Sequence, residues 1–478
     1  MLLLALILVP AVAALGASAL RGPARRTPWL LLGAMTHLAL VAAVAITPPR
    51  PVFHGWIALD ALGLVVLATV SALFAAVAVY AVGYLRRAHS PGGRAFVGCL
   101  LAFLAAASLV ALSHHFALLW VGLEATTLAL APLIFHKHDR RSLEAVWKYL
   151  VISSVGIALA LLGVFFLATA QAGGPPGARP LVVEDLIAYA DRLHPAWLQA
   201  AFVFLLIGFG TKMGLAPMHT WKPDTYGEAP SLVGALMAGG LTSCAFLGLA
   251  RVTAVATAAG SGPFIRPLLL GFGVLSLVVA AAFLIVQTDV KRLLAYSSVE
   301  HMGLLAVGLG VGGVGAYGAV LHMINNAMVK GLLFFAVGNA VLRAGTGAPA
   351  ALSGALRRAP ASGFLLLVGL FAVTGSPPFG PFLSEFAILG ALFHAGHYWI
   401  AAIMLALFAV IFVGLAARIL EVVHGPPSPS APGVGEDPWR LAAPAVLAIA
   451  VLTLGVFIPG PLFRALAEAA GTLGGGAP

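Results

Sequence analysis

Residues 201–230 read AFVFLLIGFGTKMGLAPMHTWKPDTYGEAP. An apolar run leads straight into Lys212, then Pro217, then a polar knot of His219, Lys222, Asp224 and Glu228. Proline lacks the backbone donor a helix needs, so the pattern predicts a helix that breaks after Lys212 and frees carbonyls for polar partners. A lysine on the apolar side of such a break is costly unless it is paired, hydrated or neutralised. That makes Lys212 a functional candidate, and a snorkelling lysine the bland alternative. The knot after Pro217 is expected in an inner-side loop, in a structural or docking role.

The surrounding chain explains the setting. It has 478 residues, 61% hydrophobic and 9% charged, with mean hydropathy +1.04, a balance no soluble globular domain keeps. Crossing a ~30 Å hydrocarbon core takes about 20 apolar residues. Such runs lie near 2–20, 28–47, 59–85, 95–113, 115–135, 147–170, 196–216, 229–257, 264–287, 293–311, 316–342, 361–393, 398–420 and 441–466. They predict an all-α polytopic membrane protein of about 14 transmembrane helices, called spans 1–14 in chain order.

The first run has no basic segment before it and RGPARR after it, the charge order of a retained span with its N-terminus outside. An even span count then puts both termini outside a cytoplasmic membrane. Eighteen lysines and arginines, including Arg21, Lys222 and Arg440, fall in inner loops, and six, including Arg251, in outer ones; Lys212 and Lys330 lie within spans. Basic loops facing anionic lipid account for the net charge of +10 without nucleic acid. Residues 171–195 are Gly/Pro-rich and then amphipathic (VVEDLIAYADRL), residues 421–440 read as a flexible inner-side linker, and the chain stops about a dozen residues after span 14. Cys99 and Cys244 sit in separate apolar spans and read as small hydrophobes. With no CxxC, phosphate loop or dinucleotide fingerprint in its required context, redox chemistry is expected on partner polypeptides, with no cofactor or metal in this chain.

The remaining intramembrane charges are few. Glu124 lies in mid-span 5, where a carboxylate facing a buried cation is favoured over a neutral acid. Span 12 is interrupted at TGSPPFGPFLSEF (374–386), and Glu385 lies just beyond the break. Two broken spans, five apart and each beside one charge, suggest inverted repeats formed by spans 4–8 and 9–13. The corresponding divisions are 1–90 for the N-terminal spans, 91–257 and 258–424 for the repeats, and 425–478 for the linker and last span. On span 11, His322, Asn326 and Lys330 recur at i, i+4 and i+8, one stripe that suggests a wet path. Glu300 and His301 are further candidates. Asp60 opens span 3, where the helix dipole suffices to explain an acid, and Glu144 with Lys148 reads as an i, i+4 ion pair near a possible inner proton entry.

Five ordered segments carry a resemblance: WVGLEATTLALAPLIF, KMGLAPMHTWKPDTYGEAPS, DVKRLLAYSSVEHMG, HMINNAMVKGLLFFAVGN and GSPPFGPFLSEF. From about residue 60 to 420 the chain resembles the antiporter-like, ion-translocating subunits of respiratory complex I, multisubunit cation/proton antiporters and membrane-bound [NiFe] hydrogenases. SLEAVWKYLVISSVGIALALLG looks most like the hydrogenase-4 component F branch. The resemblance implies a fourteen-helix fold with a midplane proton relay through Glu124, Lys212, Lys330 and Glu385. It also implies partner subunits carrying iron–sulfur clusters and a nickel–iron site. Two departures stand out: Ser243 in LMAGGLTSCA where many relatives have a lysine, and Asn326 where many have histidine, with His322 one turn earlier. The sequence leaves open a redox-driven proton pump, a sodium/proton antiporter subunit and a membrane scaffold.

Overall fold

The structure, a computed structural model, describes residues 1–20, 22–87, 93–175, 177–426 and 435–474. Arg21 and residues 427–434 of the inner-side linker lie outside the described residues. Among the described residues the chain is helical apart from turns and three isolated bridges. Among the described residues twelve helices are long and apolar enough to cross a membrane, so this is a multi-pass membrane protein. Spans 2–6 are Pro23–Ile46, Ala61–Arg87, Gly93–Leu112, Phe116–Ile134 and Arg140–Ala170. Spans 7–11 are Pro195–Met213, Ser231–Ala258, Gly262–Leu284, Val290–Val311 and Val314–Ala344, and spans 13 and 14 are Tyr398–His424 and Pro438–Val456.

Two regions are shorter than a full crossing helix. Leu2–Ala17 is one. The predicted span 12 is divided into Pro360–Val373 and Gly380–His394, with Gly380 and Pro381 opening the second half instead of lying in the break. Before it, the short helices between Pro349 and Arg358 turn away from Pro360–Val373 by 113°. Span 14 also departs from expectation: it ends at Val456, and Pro459 starts a separate amphipathic helix, Gly460–Thr472, which packs on spans 3 and 11.

Spans 8 and 11 are wholly enclosed by the others, whereas spans 13 and 14 turn most of their surface outward. A helix apolar on every side is stable only in such places. Span 8 widens into a π-turn at Leu236–Leu241.

Its far end holds a correction to the loop assignment. Arg251, expected in an outer loop, is buried inside Thr242–Ala258. Its guanidinium donates to the Ser113 carbonyl, to Asp60 Oδ1 at 3.0 Å and to the Ala111 carbonyl at 3.4 Å. Asp60 does accept from the Gly63 amide at 2.8 Å, as expected of an acid at a helix start. It also joins spans 3 and 8 through the arginine. Burial alone would push its carboxyl up, but Arg251 and His114 outweigh burial and hold it well below the usual range. The 171–195 segment closes over this end: its short helix Val183–Ala188 brings Glu184 onto His114 Nδ1, and Arg179 embraces Asp185.

A buried chain of ionisable side chains

The break after Lys212 is set by Gly214. Span 7 ends at Met213, Gly214 takes φ +78°, the Leu215 amide bonds the Gly210 carbonyl at 2.8 Å and the Gly214 amide bonds the Thr211 carbonyl at 3.1 Å. This Schellman turn needs a left-handed residue, which glycine supplies without strain. It stops the helix before Pro217, contrary to the expected proline break. Lys212 therefore occupies the last turn, where the carbonyl end of the helix dipole favours a cation. It is fully buried, its Nζ lies 3.3 Å from Glu124 Oε2, and it donates to Thr127 Oγ1. Glu124 keeps 24% of its side chain exposed at the surface of the chain, so the pair joins an enclosed member to one at the chain's surface.

The polar knot separates into two groups. Asp224 joins Lys148 at 2.7 Å and also Arg292, Lys148 holds Glu144 at 2.8 Å, and Glu228 meets Lys137 at 3.0 Å, all partly exposed. The Glu144–Lys148 pair is present, beside a cleft of about 470 Å³ that also reaches Asp224 and Arg292. Lys222 and His219, expected in a loop, are buried. For Lys222 the reason is the helix Trp221–Glu228: Asp224 and Glu228 form its wet stripe, while Lys222 and Tyr226, also four apart, point inward. Lys222 Nζ donates to Ser298 Oγ at 2.9 Å and lies 6.0 and 5.9 Å from the Trp221 and Tyr226 ring centres. Lys291 Nζ ties down the end of this helix through the Gly227 and Ala229 carbonyls, at 2.7 and 2.6 Å.

Span 10 receives the second group. Lys330 Nζ donates to Ser297 Oγ at 2.7 Å, and one turn further along span 10 come Glu300, whose buried Oε2 has no hydrogen-bond partner, and His301. His301 Nδ1 and His322 Nε2 are 2.9 Å apart, and His322 Nδ1 is 2.9 Å from Ser384 Oγ. Ser384 donates to the Pro381 carbonyl at 2.9 Å, so it accepts from His322 Nδ1. His322 Nε2 is then a lone pair accepting from His301 Nδ1–H. His301 Nε2 is consequently left bare and, in this structure, unpartnered. One ligating atom each from His301, His322 and Glu385 lies within 4.8 Å of the others.

The span 12 break uses the same turn as span 7. Gly375 has φ +62°, the Ser376 amide bonds the Phe371 carbonyl at 3.0 Å and the Gly375 amide bonds the Ala372 carbonyl at 3.3 Å. Glu385 folds back over it: a Cβ on Gly375 would lie 2.0 Å from Glu385 Oε2. At the first break a Cβ on Gly214 would lie 2.3 Å from Lys222 Cε.

The expected stripe on span 11 divides. His322 and Lys330 both meet span 10, but Asn326 turns to span 8, donating to the Ala238 carbonyl in the π-turn at 3.2 Å. Ser243 donates back to the Gly239 carbonyl at 2.5 Å and so closes on its own helix. Sequence reasoning missed Ser297, Ser298, Ser384 and Asn325, whose Nδ2 meets Ser384 Oγ at 3.3 Å. Two of them were visible as the serine pair preceding Glu300 and His301. His37, also missed, is fully spoken for by Ser71 and Ser108 at 2.9 and 2.8 Å, a structural clasp of spans 2–4.

These features define a class: a polytopic membrane protein with titratable side chains buried between its spans. The family described as NADH:quinone oxidoreductase/Mrp antiporter, TM, matches residues 113–411, and the chain belongs to it. A Hydrogenase-4 component F homolog of Methylacidiphilum infernorum is 34% identical over 336 residues, 70% of each chain. NADH-quinone oxidoreductase subunit N of Laribacter hongkongensis is 31% identical over 398 residues, 80% of this chain and 78% of that one. A chain of respiratory complex I from Thermus thermophilus superposes with a TM-score of 0.76 at 27% identity, covering 95% of this chain and 97% of that chain.

Proposed function

We propose that this chain carries protons across the cytoplasmic membrane as the translocating subunit of a complex I-like redox assembly of the hydrogenase-4 or quinone-reducing type. Its partner subunits, on this reading, hold the iron–sulfur clusters and, in the hydrogenase case, a nickel–iron site. The carrying observation is the Glu124–Lys212 pair, a fully buried lysine facing a partly exposed carboxylate, with the lysine's span broken just beyond it. An intramembrane charge is retained at this cost where a pathway uses it.

Each group has a definite part. Lys212 holds a proton while Glu124 faces it and releases it when the two separate as the complex cycles. A proton reaching Lys330 is next to Ser297, on the helix that carries Glu300 and His301. At the histidine pair, uptake on the bare His301 Nε2 lets its Nδ1 proton pass to His322 Nε2, and the His322 Nδ1 proton moves toward Ser384, next to Glu385. No bond between heavy atoms forms or breaks. Spans 4–8 and 9–13 act as inverted repeats on this reading, both termini outside, with Leu2–Ala17 and the divided span 12 completing fourteen spans. The shared Schellman turn at Gly214 and Gly375 supports that correspondence.

The test is Glu124→Gln in the intact complex, which keeps shape and removes charge. Proton translocation per electron is expected to fall at least about tenfold at equal complex content. Wild-type stoichiometry would overturn the pair's role.

A further inference from the structure

We infer that Lys222 is a proton carrier linking the Glu124–Lys212 pair to Lys330 and the histidines, a role that rests on the translocation reading above. Four observations converge on it.

Its burial is complete, and its only hydrogen bond among the described residues is to a neutral hydroxyl, Ser298 Oγ at 2.9 Å. Lysines that brace this protein look different. Lys148 and Lys137 end on carboxylates, and Lys291 ends on two carbonyls at the close of a helix. An ammonium has three donors, so Lys222 keeps capacity for a transferable proton. Its nearest counterpart is Lys330, whose short contact is also a serine.

Those two serines are neighbours. Ser297 takes Lys330 and Ser298 takes Lys222, and consecutive residues on a helix point about 100° apart. Span 10 therefore presents the two ammonium groups on adjoining faces, with its backbone as the shared anchor.

The same end of Lys222 also touches the turn that carries Lys212. Its Cδ, Cε and Nζ lie across Gly214, two residues from Lys212, as the 2.5, 2.3 and 2.9 Å approaches to a Cβ built there record. The side chain thus reaches from the Lys212 turn to the serine beside the Lys330 anchor.

The second half repeats the arrangement. Glu385, from the helix following its break, lies across Gly375 just as Lys222, from the helix following its break, lies across Gly214. By position in the fold the partner of Glu385 is Lys222 and not Lys212. In operation Lys222 takes a proton from the Lys212 side as a neutral amine, becomes ammonium, and gives that proton up toward Lys330, returning to the amine.

The experiment compares Lys222→Gln, Lys222→His and Ser298→Ala with Lys212→Ala in membrane vesicles carrying the intact complex. It reads proton translocation per electron at equal complex content, from pH 6 to 8.5. Glutamine preserves a donor for Ser298 but carries no proton, so a brace would survive and a carrier would not. We expect Lys222→Gln to lose translocation by at least about tenfold. Lys222→His should recover it on the acid side of about pH 7, where imidazole binds a proton. Should the glutamine variant fail to assemble, Ser298→Ala removes only the hydroxyl and is expected to lower translocation severalfold. Full translocation in Lys222→Gln, or in Ser298→Ala if that is the assembled variant, or a histidine variant with an unshifted pH profile, overturns the role of Lys222 while Lys212→Ala stays inactive. Full translocation in Lys212→Ala as well overturns the translocation reading itself.

Discussion

Replacing Gly375 by alanine separates the geometry of the second break from its stability. Gly375 has φ +62°, where an alanine costs ~1–2 kcal/mol. The new Cβ would sit 2.0 Å from Glu385 Oε2, 2.8 Å from Cδ and 3.2 Å from Oε1. Carbon and oxygen do not approach nearer than about 3 Å without repulsion, so the carboxylate moves by roughly 1 Å. Because it is the far end of a flexible side chain, it can move without unfolding the helix. Gly345 supplies the control: φ +72° at the end of span 11, with nothing within 4 Å of a built Cβ. Both variants carry the same backbone cost, so their thermal unfolding in detergent should fall together by a few degrees. Only Gly375→Ala displaces Glu385, and a misplacement of about 1 Å can cost up to about a hundredfold in rate. Proton translocation driven by the complex's own substrate is expected to survive in Gly345→Ala and to drop at least about tenfold in Gly375→Ala. Equal translocation by the two variants would refute the reasoning that Glu385 works from its seat on Gly375.

Three further outcomes follow from named contacts. Arg251→Ala removes the guanidinium between Asp60 and the Ser113 carbonyl and should destabilise the protein by about 3 kcal/mol, the scale of a broken buried pair, read as a lowered unfolding temperature. The Asp185 carboxyl, which burial would raise, is held down to about 2 by Arg179, Tyr189 and the Arg179 amide. A depressed carboxyl stabilises fully above its ordinary value near 4 and loses that contribution as pH falls toward 2. Arg179→Ala should therefore flatten the pH dependence of unfolding in that window. His322→Phe removes both contacts of the proposed transfer from His301 to Ser384 and should lower translocation at least about tenfold with assembly intact on a native gel.

Hydrophobic run length located nearly every span, because a bilayer leaves helices few alternatives. Glu124 facing Lys212 was legible for a related reason: an acid and a lysine in the membrane need each other. What stayed hidden depended on tertiary packing. The sequence pattern points to Pro217 as the breaker, and only the backbone shows that the helix stops at Gly214. Lys222 reads as a loop lysine because its neighbours Pro223 and Asp224 are loop-like, yet its helix turns it inward beside Tyr226. Arg251 reads as an outer-loop charge because it nears the end of span 8, and its burial is explained by Asp60, 191 residues away. Serine partners escaped notice because a hydroxyl costs little in an apolar helix and gains meaning only from what faces it. Span 14 was read too long across Pro459, where the chain starts a new amphipathic helix.

On the proposed function, the buried lysine of span 7 handles the transported proton. This role is tested most directly by Lys212→Ala in the intact complex, comparing protons moved per electron with wild type at matched complex content. Electron transfer is expected to become uncoupled or arrested, with translocation reduced to a small residue. Unchanged proton stoichiometry, in a complex shown to contain the variant chain, would contradict it.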